Sequence, residues 1–299
     1  MKDITGILIL HKEEGMTSQS ATSRARHLFD AKKAGHTGTL DPMATGVLPI
    51  LLGRATVAGE YMLETDKHYR AELTLGITTD TEDSTGTILS RHEGPLPDEA
   101  AVRAAAAGFL PEYDQIPPMY SALKRDGRKL CDLAREGITV EREPRRIRIY
   151  RLTVERLTSE RYSLDVVCSK GTYIRTLCAD LGRALGVGGV MSRLMRVEAA
   201  GFTLDRAHTL DELRAMSEEE REGVLLPVES LFLTHPTVCL PPFFARLAHA
   251  GAEIYQRKIG TDHPIGKRIR LYDDGGFFSL GEVREFPDGS AIKPIKKFR

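Results

Sequence analysis

Hydrophobic positions along the chain fall into two periods, and these sort it into strands and helices. "GILIL" (6–10) is an apolar run of strand length. "MTSQSATSRARHLFDA" (16–31) places Ala21, Ala25, Leu28 and Phe29 at helical spacing, behind Thr17 or Ser18 as a cap. The following stretch, "AGHTGTLDPMATG" (34–46), reads as a loop, "GVLPILLG" (46–53) as a short buried strand and "ATVAGEYMLE" (55–64) as helix-like. "HYRAELTLG" (68–76) alternates: Tyr69, Ala71, Leu73 and Leu75 share one face, Arg70, Glu72 and Thr74 the other. "DTEDSTG" (80–86) is an acidic turn, and "PDEAAVRAAAAGF" (97–109) a helix opened by Pro97 and Asp98.

Residues 115–137 form a loop rich in Pro and basic residues that runs into a short helix. Two paired strands follow at 145–157 and 161–171. "TYIRTLCADLGRALG" (172–186) is a helix with Ile174, Leu177, Cys178, Leu181 and Leu185 at core spacing, and 189–202 is strand-rich. "SEEERE" (217–222) and "THPTVCLPP" (234–242) mark a boundary region. Beyond it, short alternating strands with the turn dipeptides Asp274-Gly275 and Asp288-Gly289 predict a small β module with a basic end. Strands and helices without regular βαβ alternation make the fold class α+β.

Composition changes this picture little. At 299 residues the chain has room for one large domain and a small one. Lys+Arg and Asp+Glu both number 42, so any nucleic-acid surface must come from local clustering. "KRDGRK" (124–129), "REPRRIRIYR" (142–151) and "KPIKKFR" (293–299) supply such clusters, with Tyr120 and Tyr150 nearby; "TDTEDS" and "SEEERE" supply compensating acidic patches. Cys131, Cys168, Cys178 and Cys239 show no C-x-x-C spacing, which argues against zinc, and a disulfide framework is not expected at this size and Cys density. The N-terminal apolar run is too short for a signal peptide, and no stretch is long enough to cross a bilayer. A soluble, cytoplasmic protein is expected.

Candidate chemistry centres on Asp41, the one carboxylate in the glycine-rich 34–46 stretch. An Asp before Pro is commonly a turn residue bonded to its own backbone. It can also be a nucleophile or base if a neighbour keeps it ionised. Without a second acid beside it, two-carboxylate glycosidase chemistry is not available. Arg175 stands in the first turn of its predicted helix, where the dipole disfavours a cation. It is either a surface residue paired with solvent or Asp180, or a partly buried guanidinium that needs a carboxylate. Tyr69 is either a core tyrosine or a stacking platform for a base. His36 is either a structural hydrogen-bonder or a ligand contact, with no second His at metal-ligand spacing.

Four blocks then occur in order: "GHTGTLDPMATGVLPILLGRAT", "KHYRAELTLGITTDTEDSTG", "QIPPMYSALKRDGRKL" and "SKGTYIRTLCADLG". Together they closely resemble the bacterial tRNA pseudouridine-55 synthase family, the TruB type, over residues 4–235. The tail resembles a short RNA-binding PUA domain. The resemblance implies a mixed, largely antiparallel sheet flanked by helices, over residues 1–235. It also implies an RNA-facing insertion at 117–145 and a β-barrel-like PUA domain at 236–299. It implies an isomerase that flips out the T-loop uridine at tRNA position 55, using neither metal nor organic cofactor. Asp41 matches the catalytic aspartate, Tyr69 the active-site tyrosine that stacks on the base, and Arg175 the arginine paired with the aspartate. His36, Tyr173 and Leu194 match substrate-contacting or pocket positions. The tRNA T-stem-loop is the implied partner, with no membrane and no obligate protein partner; a monomer is expected.

The chain departs from the family pattern in several places, and "GMTSQSATSRAR" keeps Gly15, Thr17 and Ser18 but not the usual apolar residues after them. His11 and Glu13 replace Asp and Pro, Cys131 stands where Tyr is common, and Met195 where Arg is frequent. Two competing readings are an RNA-binding protein with an idle core and a nucleoside hydrolase that releases uracil. The intact Asp41, Tyr69 and Arg175 argue against the first, and the missing second acid against the second. A zinc base deaminase is excluded because its Pro-Cys-x-x-Cys signature is absent.

Overall fold

Alternation along the first strand shows how the interior is divided. In Gly6–Lys12 the side chains of Leu8 and Leu10 enter one hydrophobic cluster, while those of Ile7 and Ile9 enter a second on the opposite side. A continuous apolar run is what a strand covered on both faces requires. The computed structural model describes residues 2–63 and 65–299. Met1, where the expected catalytic domain begins, and Glu64, where the expected helix ends, lie outside the described residues.

The strand Gly6–Lys12 forms one edge of a nine-stranded sheet. It pairs with Thr45–Leu52, and the order continues through Gly189–Ala199, Lys67–Leu75, Arg161–Cys168, Arg145–Arg156 and Glu112–Gln115. Among the described residues, Thr45–Leu52 against Gly189–Ala199 is the one parallel pair in this sheet. The sheet is therefore mixed and largely antiparallel, as expected. Helix Ile174–Ala184 lays Leu177, Cys178 and Leu181 into the cluster that holds Leu73, Leu164 and Met191. Helix Ser18–Leu28 adds Ala21 and Ala25 to the same cluster. Its small buried side chains let the helix sit close to the sheet.

A second sheet of five strands runs in the order Thr237–Cys239, Arg268–Asp273, Gly276–Phe286, Gly289–Lys297 and Ile254–Tyr255, with helix Pro242–His249 packed on it. Phe232 joins the two sheets. It is buried in the second cluster, with ring centroids 5.2 Å from Tyr61 and 5.4 Å from Phe298.

Several local expectations need correction. The 34–46 stretch is not all loop: Ala34–His36 is a short strand antiparallel to Thr45–Leu52. Its apolar content is too low to signal a strand; the neighbour's open backbone groups recruit it. The stretch read as helix-like at 55–64 begins as a 3-10 helix, Gly53–Ala58, before turning α-helical at Gly59–Leu63. The basic 115–137 region holds a hairpin, Lys124–Arg125 with Arg128–Lys129, before the expected helix, which spans Leu130–Arg135. Met119, Leu130 and Leu133 give it a small core of its own. Asp126 and Gly127, both at positive φ, make the two-residue turn. In the C-terminal sheet Asp274 and Gly275 form a turn as expected, but the next turn is Pro287 and Asp288, with Gly289 already paired to Phe286.

Gly46 explains one glycine of the 34–46 stretch. It has φ +103° and pairs with Arg196 at the parallel crossing. A Cβ there would lie 2.2 Å from the Arg196 carbonyl oxygen. Gly15, at φ +85°, has nothing within 4 Å of such an atom. Gly15→Ala should therefore cost only the backbone penalty of roughly 1 kcal/mol, and Gly46→Ala about 3 kcal/mol or more, because two strands must separate. Urea unfolding of both variants measures the difference. Equal losses would mean that the strands do not approach as closely as described.

Candidate active site

The turn carrying Asp41 is fastened from four sides. Thr17 is the helix cap, accepting from the Ser20 N–H. That frees the Ser18 hydroxyl, which donates to the Leu40 carbonyl at 3.0 Å and accepts from the Leu40 N–H at 2.8 Å. Lys12, fully buried, sends its ammonium to the carbonyls of Ala44 (2.6 Å), Glu13 (2.9 Å) and Pro42 (3.2 Å). The Gly15 N–H also donates to Pro42. Arg196, 1% exposed, holds the far side through the carbonyls of Val47 and Gly38, both at 2.8 Å. A side chain at Gly38 would press on that guanidinium at 3.1 Å. Held in this way, the turn presents one carboxylate into a cavity.

Arg175 meets that carboxylate. Its Nη2 lies 3.1 Å from Asp41 Oδ2 and 3.3 Å from Oδ1. The same guanidinium donates to the Tyr120 carbonyl at 3.0 Å, and its Nη1 is 3.8 Å from Asp83 Oδ2. The residue is 7% exposed, so its charge depends on these acceptors. A cation in a first helical turn faces unpaired N–H groups and gains nothing from them; two carboxylates offset that disadvantage. Asp180, the alternative partner, is engaged by Arg183 and by the Tyr113 hydroxyl.

The remaining side chains come from adjacent central strands. Tyr69 stands directly across from Arg196, and Leu194 across from Ala71. Tyr173 precedes the helix, and the buried Gln115 side chain grips its backbone on both sides, at 2.8 Å to the N–H and 3.0 Å to the carbonyl. Asp41, Tyr69, Tyr173, Arg175 and Leu194 all line one cavity of about 730 Å³. His36 is absent from that lining; it sits on the short strand with its Nδ1 buried and unpartnered. Cys131 and Arg135 reach the cavity from the 117–145 segment.

Electrostatics set the state of these groups. Burial pushes the Asp41 carboxyl above its ordinary value; Arg175 pulls it down, Asp83 pushes it up again, and Lys12 pulls it down. The guanidinium opposes burial without fully offsetting it, and the carboxyl stays above its ordinary value. Burial likewise raises the Tyr69 phenol, opposed by Arg196. Burial lowers Lys12 to about 8, countered mainly by Asp41. Burial, then Arg196, lowers His36.

Sequence reasoning missed Lys12, Ser18, Asp83, Gln115 and Arg196. Asp83 belongs to the acidic patch "TDTEDS", yet it is 4% exposed and accepts from Thr81 Oγ1, the Thr85 N–H and Thr85 Oγ1. The Thr residues interleaved in "TDTEDST" are the local donors that make this burial tolerable. Arg196 was detectable: strand alternation puts it on the same face as Leu194. Lys12 and Gln115 act on backbone groups distant in sequence, and no local pattern marks them.

Comparison with known proteins places this geometry in a family. Residues 26–174 match the TruB family pseudouridylate synthase N-terminal domain, and residues 175–233 the tRNA pseudouridylate synthase B C-terminal domain. The chain is 45% identical over 284 residues to the tRNA pseudouridine synthase B of Alkaliphilus oremlandii, covering 94% of each protein. It is 43% identical to that of Chromohalobacter salexigens, covering 94% of this chain and 91% of the relative. Its fold resembles a chain in the crystal structure of a Cbf5-Nop10-Gar1 complex, with TM-score 0.72 and 25% identity over 98% of this chain and 85% of the other. Among the described residues no helix is long and apolar enough to cross a membrane. The chain that holds Asp41 against Arg175 belongs to the TruB family of pseudouridylate synthases.

Proposed function

We propose that the protein isomerises the T-loop uridine at position 55 of tRNA to pseudouridine, with Asp41 as the catalytic carboxylate. The observation that carries this reading is the Asp41–Arg175 pair, which faces a cavity shared with Tyr69 and Leu194. The C1′–N1 bond of the nucleotide breaks, the uracil turns, C5 joins C1′, and the C5 proton is lost as N1 gains one. Atoms and electrons balance without a co-reactant. Ionised Asp41 can serve as nucleophile or base; both roles need the carboxylate in the charged form. Arg175 aims it, and the planar fork of the guanidinium suits that task.

The uridine must leave its stack to reach Asp41. Tyr69 stacks on the flipped base and helps remove the C5 proton. Tyr173 and Leu194 wall the pocket. His36, outside the cavity lining, contacts RNA beyond the flipped nucleotide. In this reading residues 1–235 form the catalytic domain, 117–145 its RNA-facing insertion, and 236–299 a PUA-like RNA-binding domain. The protein acts as a monomer in the cytoplasm.

Three experiments test this. Incubation with an unmodified T-stem-loop RNA should yield pseudouridine at the single T-loop position and no free uracil; released uracil would favour the hydrolase reading. Asp41→Asn, nearly isosteric but neutral, should abolish conversion and leave RNA affinity within about 3-fold. Pseudouridine formed by a pure Asn variant would remove Asp41 from the mechanism. Lys124, Arg125 and Arg128 lie exposed on the hairpin, although Arg128 is already paired with Glu136. Neutralising all three should flatten the dependence of log Kd on log salt by up to roughly 2–3. An unchanged slope would route the RNA elsewhere.

A further inference from the structure

Glu82 stands where a glycine or asparagine is the cheaper choice. Its φ is +63°, in the left-handed region that L side chains rarely adopt. Its neighbours leave it no freedom to leave that region. The Glu82 carbonyl accepts from the Met191 N–H at 3.1 Å, and the Ser84 N–H donates to the Met191 carbonyl at 2.9 Å. The turn is thus clamped to the central Gly189–Ala199 strand on both sides of Asp83. Such a conformation persists only where the surrounding contacts fix it.

The side chain of Glu82 reaches the catalytic helix. Its Oε2 accepts from Thr176 Oγ1 at 2.5 Å. Thr176 directly follows Arg175 and is itself buried, so its hydroxyl has few alternatives. One residue further along the turn, Asp83 lies 3.8 Å from the other side of the Arg175 guanidinium. Two adjacent residues of the turn therefore hold two adjacent residues of the helix. Glu82 borders a second cavity of about 440 Å³ behind the helix, which Thr176, Asp180 and Arg142 also line. Burial raises its carboxyl; the Thr176 hydrogen bond opposes this, Asp180 reinforces it, and Arg175 and Arg142 oppose it.

We propose that Glu82 is a positioning residue for the isomerisation: through Thr176 it locks the 80–86 turn to the start of the catalytic helix and so fixes how Arg175 is divided between Asp41 and Asp83. This rests on the functional reading above. The division matters because Asp41 and Asp83 share one guanidinium, Asp41 at Nη2 (3.1 Å) and Asp83 at Nη1 (3.8 Å). If the turn is released, Asp83 shifts relative to the helix, and Arg175 no longer presents Asp41 at a fixed place. RNA binding, made by other surfaces, is untouched.

The test compares kcat and KM on unmodified T-stem-loop RNA for wild type, Glu82→Gly, Glu82→Gln, Thr176→Val and the Gly/Val double variant. Glu82→Gly relieves the backbone and should hold or raise Tm, yet lower kcat about 10-fold with KM within about 2-fold. Thr176→Val breaks the same bond from the helix side and should fall similarly. The double variant should be no slower than the slower single one. Glu82→Gln keeps an acceptor for Thr176 and should recover to within about 3-fold of wild type. A Glu82→Gly enzyme with wild-type kcat, a Gln variant as slow as the Gly variant, or additive losses in the double variant would each overturn the proposal. Wild-type protein that leaves the RNA unmodified would instead overturn the functional reading, and this proposal with it.

Discussion

A carboxylate and a guanidinium brought together in a half-buried cavity organise the rest of this molecule. Neither group would be tolerable there alone. Arg175, 7% exposed in a first helical turn, needs anionic partners. Asp41, desolvated by its surroundings, needs a cation to remain usable as a charge. The surrounding structure serves to keep the two 3.1 Å apart. Lys12, Ser18 and Arg196 fix the Asp41 turn through its backbone, while Gln115 fixes Tyr173 just ahead of the helix. All of these are buried polar groups that hydrogen-bond main-chain atoms. Such bonds hold the backbone in place, and Lys12 adds a second positive charge that favours the ionised form of Asp41.

The sheet topology explains why the pair forms where it does. The Asp41 turn feeds Thr45–Leu52, which crosses Gly189–Ala199 in parallel; that strand pairs in turn with Lys67–Leu75, the strand of Tyr69. The Arg175 helix leaves the next strand over, Arg161–Cys168. Four segments far apart in sequence thus converge over the middle of one sheet. Rigid central strands position side chains better than loops do.

Much of this was legible beforehand, for definite reasons. Period-two alternation marked Lys67–Leu75 and placed Tyr69 inward; period-3.6 spacing marked Ile174–Ala184 with its buried Leu177 and Leu181. The oddity of Arg175 at a helix start pointed to a carboxylate, and the ion pair with Asp41 is the answer. What stayed hidden depends on tertiary contact. Ala34–His36 becomes a strand only because a neighbour's backbone accepts it. Asp83 looks like one of several surface acids until the fold turns it inward among threonine donors. Lys12 lies between His11 and Glu13, in a local setting that suggests exposure, yet it is fully buried. Its role is defined by carbonyls some 30 residues away in sequence.

Asp41 stands between burial, which favours its neutral form, and Arg175, which favours the charged one. Isotope-edited carbon NMR of aspartate-labelled protein, with the Asp41→Asn variant for assignment, follows this carboxyl directly through a pH titration. In the wild-type protein Asp41 should titrate above the ordinary aspartate range, so the charged form is lost as pH falls through that raised value. In Arg175→Met the counter-charge is gone while the burial remains, and the midpoint should move higher still. A wild-type Asp41 that titrates below the ordinary range, or one that does not respond to the loss of Arg175, would contradict the account.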